Sequence, residues 1–173
     1  MINWRDEMQR MVDARDRVQE VDANSLWRYE EPRSPASPER LREVAVGLGH
    51  SLDSEYASFL LQADGWPALM QDVDLFGTAE LLGARMDMAR ELLTTLETEG
   101  LKTSGLDQDV LLPIAASTTA IDFFAMPLTG DKFPAPVIWF AGAEVERYSS
   151  FLDFFRAMIE ENLSEANELG AEK

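Results

Sequence analysis

The chain has 173 residues, 46% of them hydrophobic, enough for one domain with a sizeable core and too few to expect two. It has no cysteine, which excludes disulfides, thiolate-bound zinc and thiol catalysis. Asp and Glu number 32 against 15 Lys and Arg, a formal charge of −17 that repels nucleic acid and anionic lipid and steers basic partners inward.

Nothing approaches the ~18 uninterrupted apolar residues of a membrane helix. The start, "MINWRDEMQR", lacks the apolar core of a signal peptide, so the expected location is the cytoplasm, away from membrane. Residues 3–21 carry Trp4, Met8, Met11 and Val18 at helical spacing, with Arg15 as a snorkelling member of the stripe. "YEEPRSPASPER" cannot continue a helix and reads as a surface linker. Ser37 and Pro38 open a second helix with Leu41, Val44, Ala45 and Leu48 on one face, stopped by Gly49. Asp53 caps a third, carrying Tyr56, Phe59, Leu60 and Ala63, which exits at Asp64-Gly65.

"QDVDLFG" then reads as a short strand, with Val73 and Leu75 facing one way and Asp72 and Asp74 the other. Residues 79–98 are expected as one helix with Leu82, Met86, Ala89, Leu93 and Leu96 inward. Beyond the break "KTSGLDQD", the runs "VLLPIAAS", "AIDFFAMPL", "PVIWFAG" and "EVERY" are four short strands. Pro113 puts the first of them at an edge or a bulge, whereas the two-sided apolar runs should be central. Ser150 caps a last helix with Phe151, Phe154, Phe155, Met158 and Ile159 as its stripe, and an acidic tail beyond Leu163 is expected to fray. The expected class is α+β, a mostly antiparallel sheet of about five strands with helices packed on it. The expected organisation is an N-terminal helix and Pro/Ser-rich linker (1–37), a main domain (38–163) and a tail (164–173).

The chemistry-bearing residues do not assemble. His50 is the only histidine, so neither a Ser-His-Asp triad nor a two-histidine metal site can be completed within the chain. Asp72 to Gly77 begins like a calcium loop, but its fifth position is Phe76 and its twelfth Gly83, neither of which supplies the required side-chain oxygen. "DQD" at 107–109 reads as a solvated turn. No phosphate loop occurs, and no cofactor or metal is expected. The arginines near the N-terminus, Arg5, Arg10, Arg15 and Arg17, are interleaved with Asp6, Glu7, Asp13 and Asp16 and read as helix-surface ion pairs, not a nucleic-acid patch. Trp66 and Trp139 could stack bases but sit in aromatic runs typical of packing.

The order Gly49, Leu52-Asp53-Ser54-Glu55-Tyr56, Phe59-Leu60, Asp64-Gly65 and Leu75-Phe76-Gly77 resembles the SUKH superfamily of bacterial immunity proteins and a related fungal cell-wall regulator. "LLPIAAS", "DFFAM", "PVIWF" and "SFLDFF" are similar to the family's later strands and closing helix, extending the likeness over residues 38–160. Asp53 stands where the family has Pro and Asp64 where it has Asn; both are mild changes at helix ends. The resemblance implies a non-enzymatic immunity protein that binds a cognate toxin, a nuclease or another basic, nucleic-acid-directed enzyme, and blocks its cleft with acidic surface. A regulatory or scaffold domain is the alternative it leaves open. The expected contact surface comprises Asp72, Asp74, Asp122, Glu144, Glu146 and Tyr148, the last three on one face of their strand, with Trp66 as aromatic anchor.

Overall fold

The computed structural model describes residues 1–96, 101, 110–128 and 134–171. Helix α1 spans Trp4–Val21, α2 Pro38–Leu48 and α3 Ser54–Leu60. Their ends are where the side chains put them. The Ser37 hydroxyl accepts from the Arg40 amide and starts α2; the Asp53 carboxylate accepts from the Glu55 and Tyr56 amides and starts α3. After strands β1 (Trp66–Met70) and β2 (Val73–Leu75) come α4 (Thr78–Leu81) and α5 (Ala84–Thr95). Strands β3 (Leu111–Ser117), β4 (Phe123–Pro127), β5 (Val137–Phe140) and β6 (Glu144–Tyr148) lead into α6 (Phe151–Ala171).

The six strands form one antiparallel sheet in chain order, a meander from β1 to β6. The count is six because Trp66–Met70, between the helix exit at Asp64-Gly65 and the strand expected in "QDVDLFG", is itself a strand. Pro67 and the left-handed Ala68 (φ 50°) disguise it, and the pairing with β2 shifts register between Trp66 and Met70. Pro113 lies in an interior strand at a register shift between Pro113 and Ala115, so the bulge is its solution and not the edge. The apolar runs of β4 and β5 are interior and almost wholly covered, as their composition requires.

Helix α6 crosses one face of the sheet, with Phe154 against Phe124 and Tyr148 and Phe155 against Trp66. Helix α1 lies beside it and runs the same way: Trp4 meets Phe151 and Phe155, Asn162 Nδ2 donates to Met11 Sδ, and Val21 touches Gly170. Helix α5 packs on β3, and its Arg85 reaches Asp74, which faces away from buried Val73 and Leu75, so α5 takes the second face. Gly65 and Gly77 explain the tight passage from α3 to β2. Gly65 is left-handed at φ 85°, and a Cβ on Gly77 would stand 2.1 Å from the Asp64 carbonyl oxygen.

Three local expectations change. The helix expected over 79–98 is two helices, broken at Leu82-Gly83 by a poor helix former, and Leu82 points to solvent; residues 97–98 and the "KTSGLDQD" break from Lys102 onward lie outside the described residues. The acidic end beyond Leu163 is not frayed: α6 continues to Ala171, with Ala166 buried and Glu165 accepting from Trp27 Nε1 and Gln71 Nε2. The Pro-rich linker is a fitted strap. Arg33 N–H donates to the Gly65 carbonyl, Ala36 N–H to that of Leu60, and Trp66 Nε1 to that of Glu30, which ties residues 28–36 along the β1 side of the sheet. Arg15 anchors the strap from α1: its buried guanidinium donates to the Arg28 carbonyl and lies over the Tyr29 ring.

Candidate protein-binding surface

The residues singled out from sequence fall into two groups. Trp66 is 1% exposed, its ring against Phe155 and its indole N–H spent on Glu30, so it is a core side chain and not an anchor at the surface. Asp72 and Asp74 do lie opposite Val73 and Leu75, but both carboxylates are engaged within the chain. Asp72 accepts from Ser117 Oγ at 2.7 Å, from the Thr119 amide at 3.0 Å and from the Thr119 hydroxyl, pinning the β3–β4 turn to the β1–β2 turn. Burial pushes its pKa up, yet those Thr119 and Ser117 bonds outweigh it and hold the carboxyl below its ordinary value. Asp74 accepts from the Ala68 amide and Arg28 Nη2, both at 2.8 Å, with Arg85 Nη2 at 3.5 Å.

The second group is on β4 to β6. There Phe140 pairs with Glu144 and Trp139 with Glu146, so Val145 is an extra residue in β6. This bulge overturns the expectation that Glu144, Glu146 and Tyr148 share a face, because neighbours Phe140 and Trp139 point to opposite sides and carry their partners with them. Glu144 takes a two-bond contact from Arg147 on one side, at 2.9 and 2.8 Å. Glu146 and Tyr148 stand on the other, the side covered by α6, where the Tyr148 hydroxyl donates to Glu146 at 3.1 Å. Burial first, then the charges of Glu146 and Glu161, push the Tyr148 phenol well above its ordinary value, so it stays a neutral donor.

Trp139 stands at the centre of this group. It stacks on Phe124 at 5.5 Å, donates its indole N–H to Asp122 at 2.8 Å and lies directly across from Glu146. It is half-buried, whereas the neighbouring strand residues are covered. Ile121, just before β4, and Val145, in β6, are 56% and 53% exposed. A rigid aromatic body held in place, with carboxylates at its rim, is the arrangement that recurs at the energetic centre of protein interfaces. Sequence reading took Trp139 for packing alone. The available signal was pairing "VIWF" with "EVERY" as a hairpin, which sets the Trp across from an acid.

Among the described residues no group of three or more His, Asp or Glu side chains could hold a metal ion, and no helix is long and apolar enough to cross a membrane. In the cleft between the starts of α1, α3 and α6, the Arg156 guanidinium is taken up by Glu7 at 3.0 Å, and Glu55 accepts the Leu152 amide.

Fold and surface together define an α+β protein whose exposed chemistry suits contact with other proteins. The sequence model of the SMI1 / KNR4 family (SUKH-1) matches residues 35–157, more than two thirds of the chain, and the chain belongs to this family. The family includes toxin-immunity proteins and the SMI1/KNR4 regulators, which are generally non-enzymatic and bind partner proteins. No curated protein matches the sequence. The parts beyond the match are residues 1–34 and 158–173, which hold α1, most of the strap and the second half of α6. They pack on one another.

Proposed function

We propose that this chain is an immunity protein that binds a cognate toxin domain and blocks it by occupying a basic surface. The observation that carries the reading is Trp139, half-exposed between Asp122 and Glu146, on a chain with a net charge of −17. An enzyme that acts on nucleic acid must present cations to phosphate. Carboxylates around a fixed aromatic ring can take the place of phosphates around a base, and the excess negative charge accelerates encounter. Asp122, Glu146 and Trp139 are therefore the contact residues of this reading, with Tyr148 orienting Glu146. Asp72, Asp74 and Trp66 support the fold beneath.

The alternative, a regulatory scaffold using the N-terminal helix and Pro-rich linker as an adaptor, has less support, because α1 packs against α6 and the linker is tied along β1 by backbone bonds. Co-expression with the product of the neighbouring reading frame tests the proposal. The expected outcome is rescue of growth and co-purification by the native chain, lost in Trp139→Ala and in Glu146→Lys while both variants remain folded. Full protection by both variants refutes this surface.

A further inference from the structure

Arg15 carries a charge that nothing inside the described fold balances. It is 5% exposed, and among the described residues it forms no ion pair with a carboxylate. Its one hydrogen bond runs from Nη2 to the Arg28 carbonyl at 2.8 Å, and its guanidinium carbon stands 5.4 Å from the centre of the Tyr29 ring. Arg33, Arg85 and Arg156 are all more exposed, yet each has a carboxylate within reach. Burial pulls the Arg15 pKa below the ordinary guanidinium value, as expected of a cation taken from water without a counter-charge. A buried charge of this kind is costly unless something completes it.

The unspent donors open onto a cavity. Nε and Nη1 make no bond to the protein, and among the described residues no sealed side-chain nitrogen lacks a partner, so both atoms touch open space. Arg15 lines a cavity of about 270 Å³ between α1 and the strap, with Tyr29 and Trp66 among its walls. Asp16, Glu30 and Glu31 line it too, and all three are exposed, which sets a buried cation at the floor and acids at the mouth.

We propose that this cavity binds a free basic α-amino acid, its carboxylate on the Arg15 guanidinium and its cationic groups on the acids at the mouth. A carboxylate accepts from several guanidinium N–H groups at once and neutralises Arg15 with a single charge. Phosphate or a nucleotide would bring further negative charge against Asp16, Glu30 and Glu31, on a chain of net −17. Glu30 is already paired with Arg28 at 2.7 Å, whereas Asp16 and Glu31 have no ion pair among the described residues and are left to the ammonium and the basic side chain. The volume is at the small end of ligand sites and suits one amino acid. Arg15, Asp16, Glu30 and Glu31 all precede residue 35, where the family match begins, so the site belongs to what this chain adds to the family fold. It lies at the β1 border and does not depend on the toxin reading.

Calorimetric titration of the full chain with free arginine tests the site, with argininamide, N-acetylarginine and inorganic phosphate in separate runs. The expected result is saturable binding of arginine, weakened about tenfold or more in argininamide, which lacks the carboxylate, and also weakened in N-acetylarginine, which lacks the ammonium. Arginine should raise the denaturation midpoint of the native chain. Arg15→Gln keeps a donor for the Arg28 carbonyl but no charge, and should lose both the binding and the shift in midpoint. The proposal is overturned if arginine shows no saturable binding at millimolar concentration, if argininamide or phosphate binds as tightly as arginine, or if Arg15→Gln binds as the native chain does. Equal binding of N-acetylarginine would overturn the free amino acid in favour of the C-terminal residue of another chain. Should Arg15→Gln fail to fold, the comparison of arginine with argininamide on the native chain decides.

Discussion

At the β1 border, acids are fasteners: Asp74 holds the Ala68 amide together with Arg28, Glu80 holds the Gly77 amide together with Arg33, and the strap closes over them. At the β6 border, the carboxylates line an exposed strand around a half-buried tryptophan. The contrast teaches that net charge alone does not locate a binding surface. Carboxylates that satisfy backbone amides and arginines of the strap belong to the fold, and only those beside Trp139 enter the proposed binding surface.

Substitutions separate the two borders. The largest expected effect is from Trp66→Ala at the closed border: removing a fully buried ring and its bond to Glu30 should cost about 3–5 kcal/mol, read as a lower denaturation midpoint. The equivalent change at the β6 border, Trp139→Ala, should reduce toxin affinity by about 2 kcal/mol or more, measured by calorimetry with the purified partner. Asp74→Ala leaves the Ala68 amide without its acceptor and should cost about 1–3 kcal/mol of stability. Glu146→Ala should move stability by no more than ~0.5 kcal/mol in either direction. A loss there as large as at Asp74 would erase the distinction between borders.

Acid titration sharpens it further. Asp72 and Glu80 are both raised by burial but lowered more by hydrogen bonds, from Thr119 and Ser117 in one case and from Arg33 and the Gly77 amide in the other. Their folded pKa values lie below the unfolded ones, so the stability they contribute is present above the ordinary carboxyl range and is lost as pH falls through the depressed values. Unfolding monitored below about pH 4 should therefore have a shallower slope in the double variant Asp72→Asn, Glu80→Gln. Ala68→Gly, which relieves a left-handed alanine, acts in the opposite direction and should raise stability by up to ~1 kcal/mol, read as a higher denaturation midpoint.

Much of the fold was legible because it is written in short-range signals. Ser37, Asp53 and Gly49 mark helix ends by their own backbone chemistry, and the Val73–Leu75 alternation marks a strand. What escaped reading depends on distant partners. The strap is held by bonds such as Arg33 to Gly65 and Arg28 to Asp74, which no local pattern announces. Strand β1 hides behind Pro67 and Ala68, and α6 extends past its apolar stripe because Asn162 finds the Leu69 carbonyl inside the core. The candidate surface was half legible: Asp122 and Glu146 were singled out, yet the bulge at Val145 removed Glu144 from their side and burial removed Trp66. A one-residue shift in pairing register is invisible to a period-two count.

The side-by-side course of α1 and α6 also bears on how the molecule is made. Trp4 packs on Phe151 and Phe155, so during synthesis the first helix waits, its apolar stripe uncovered, until about 150 further residues have been made. Contacts of that sequence separation are slow to form, so Met11 and Val18, buried in the finished fold, stay exposed to water longer than side chains whose partners are near in sequence.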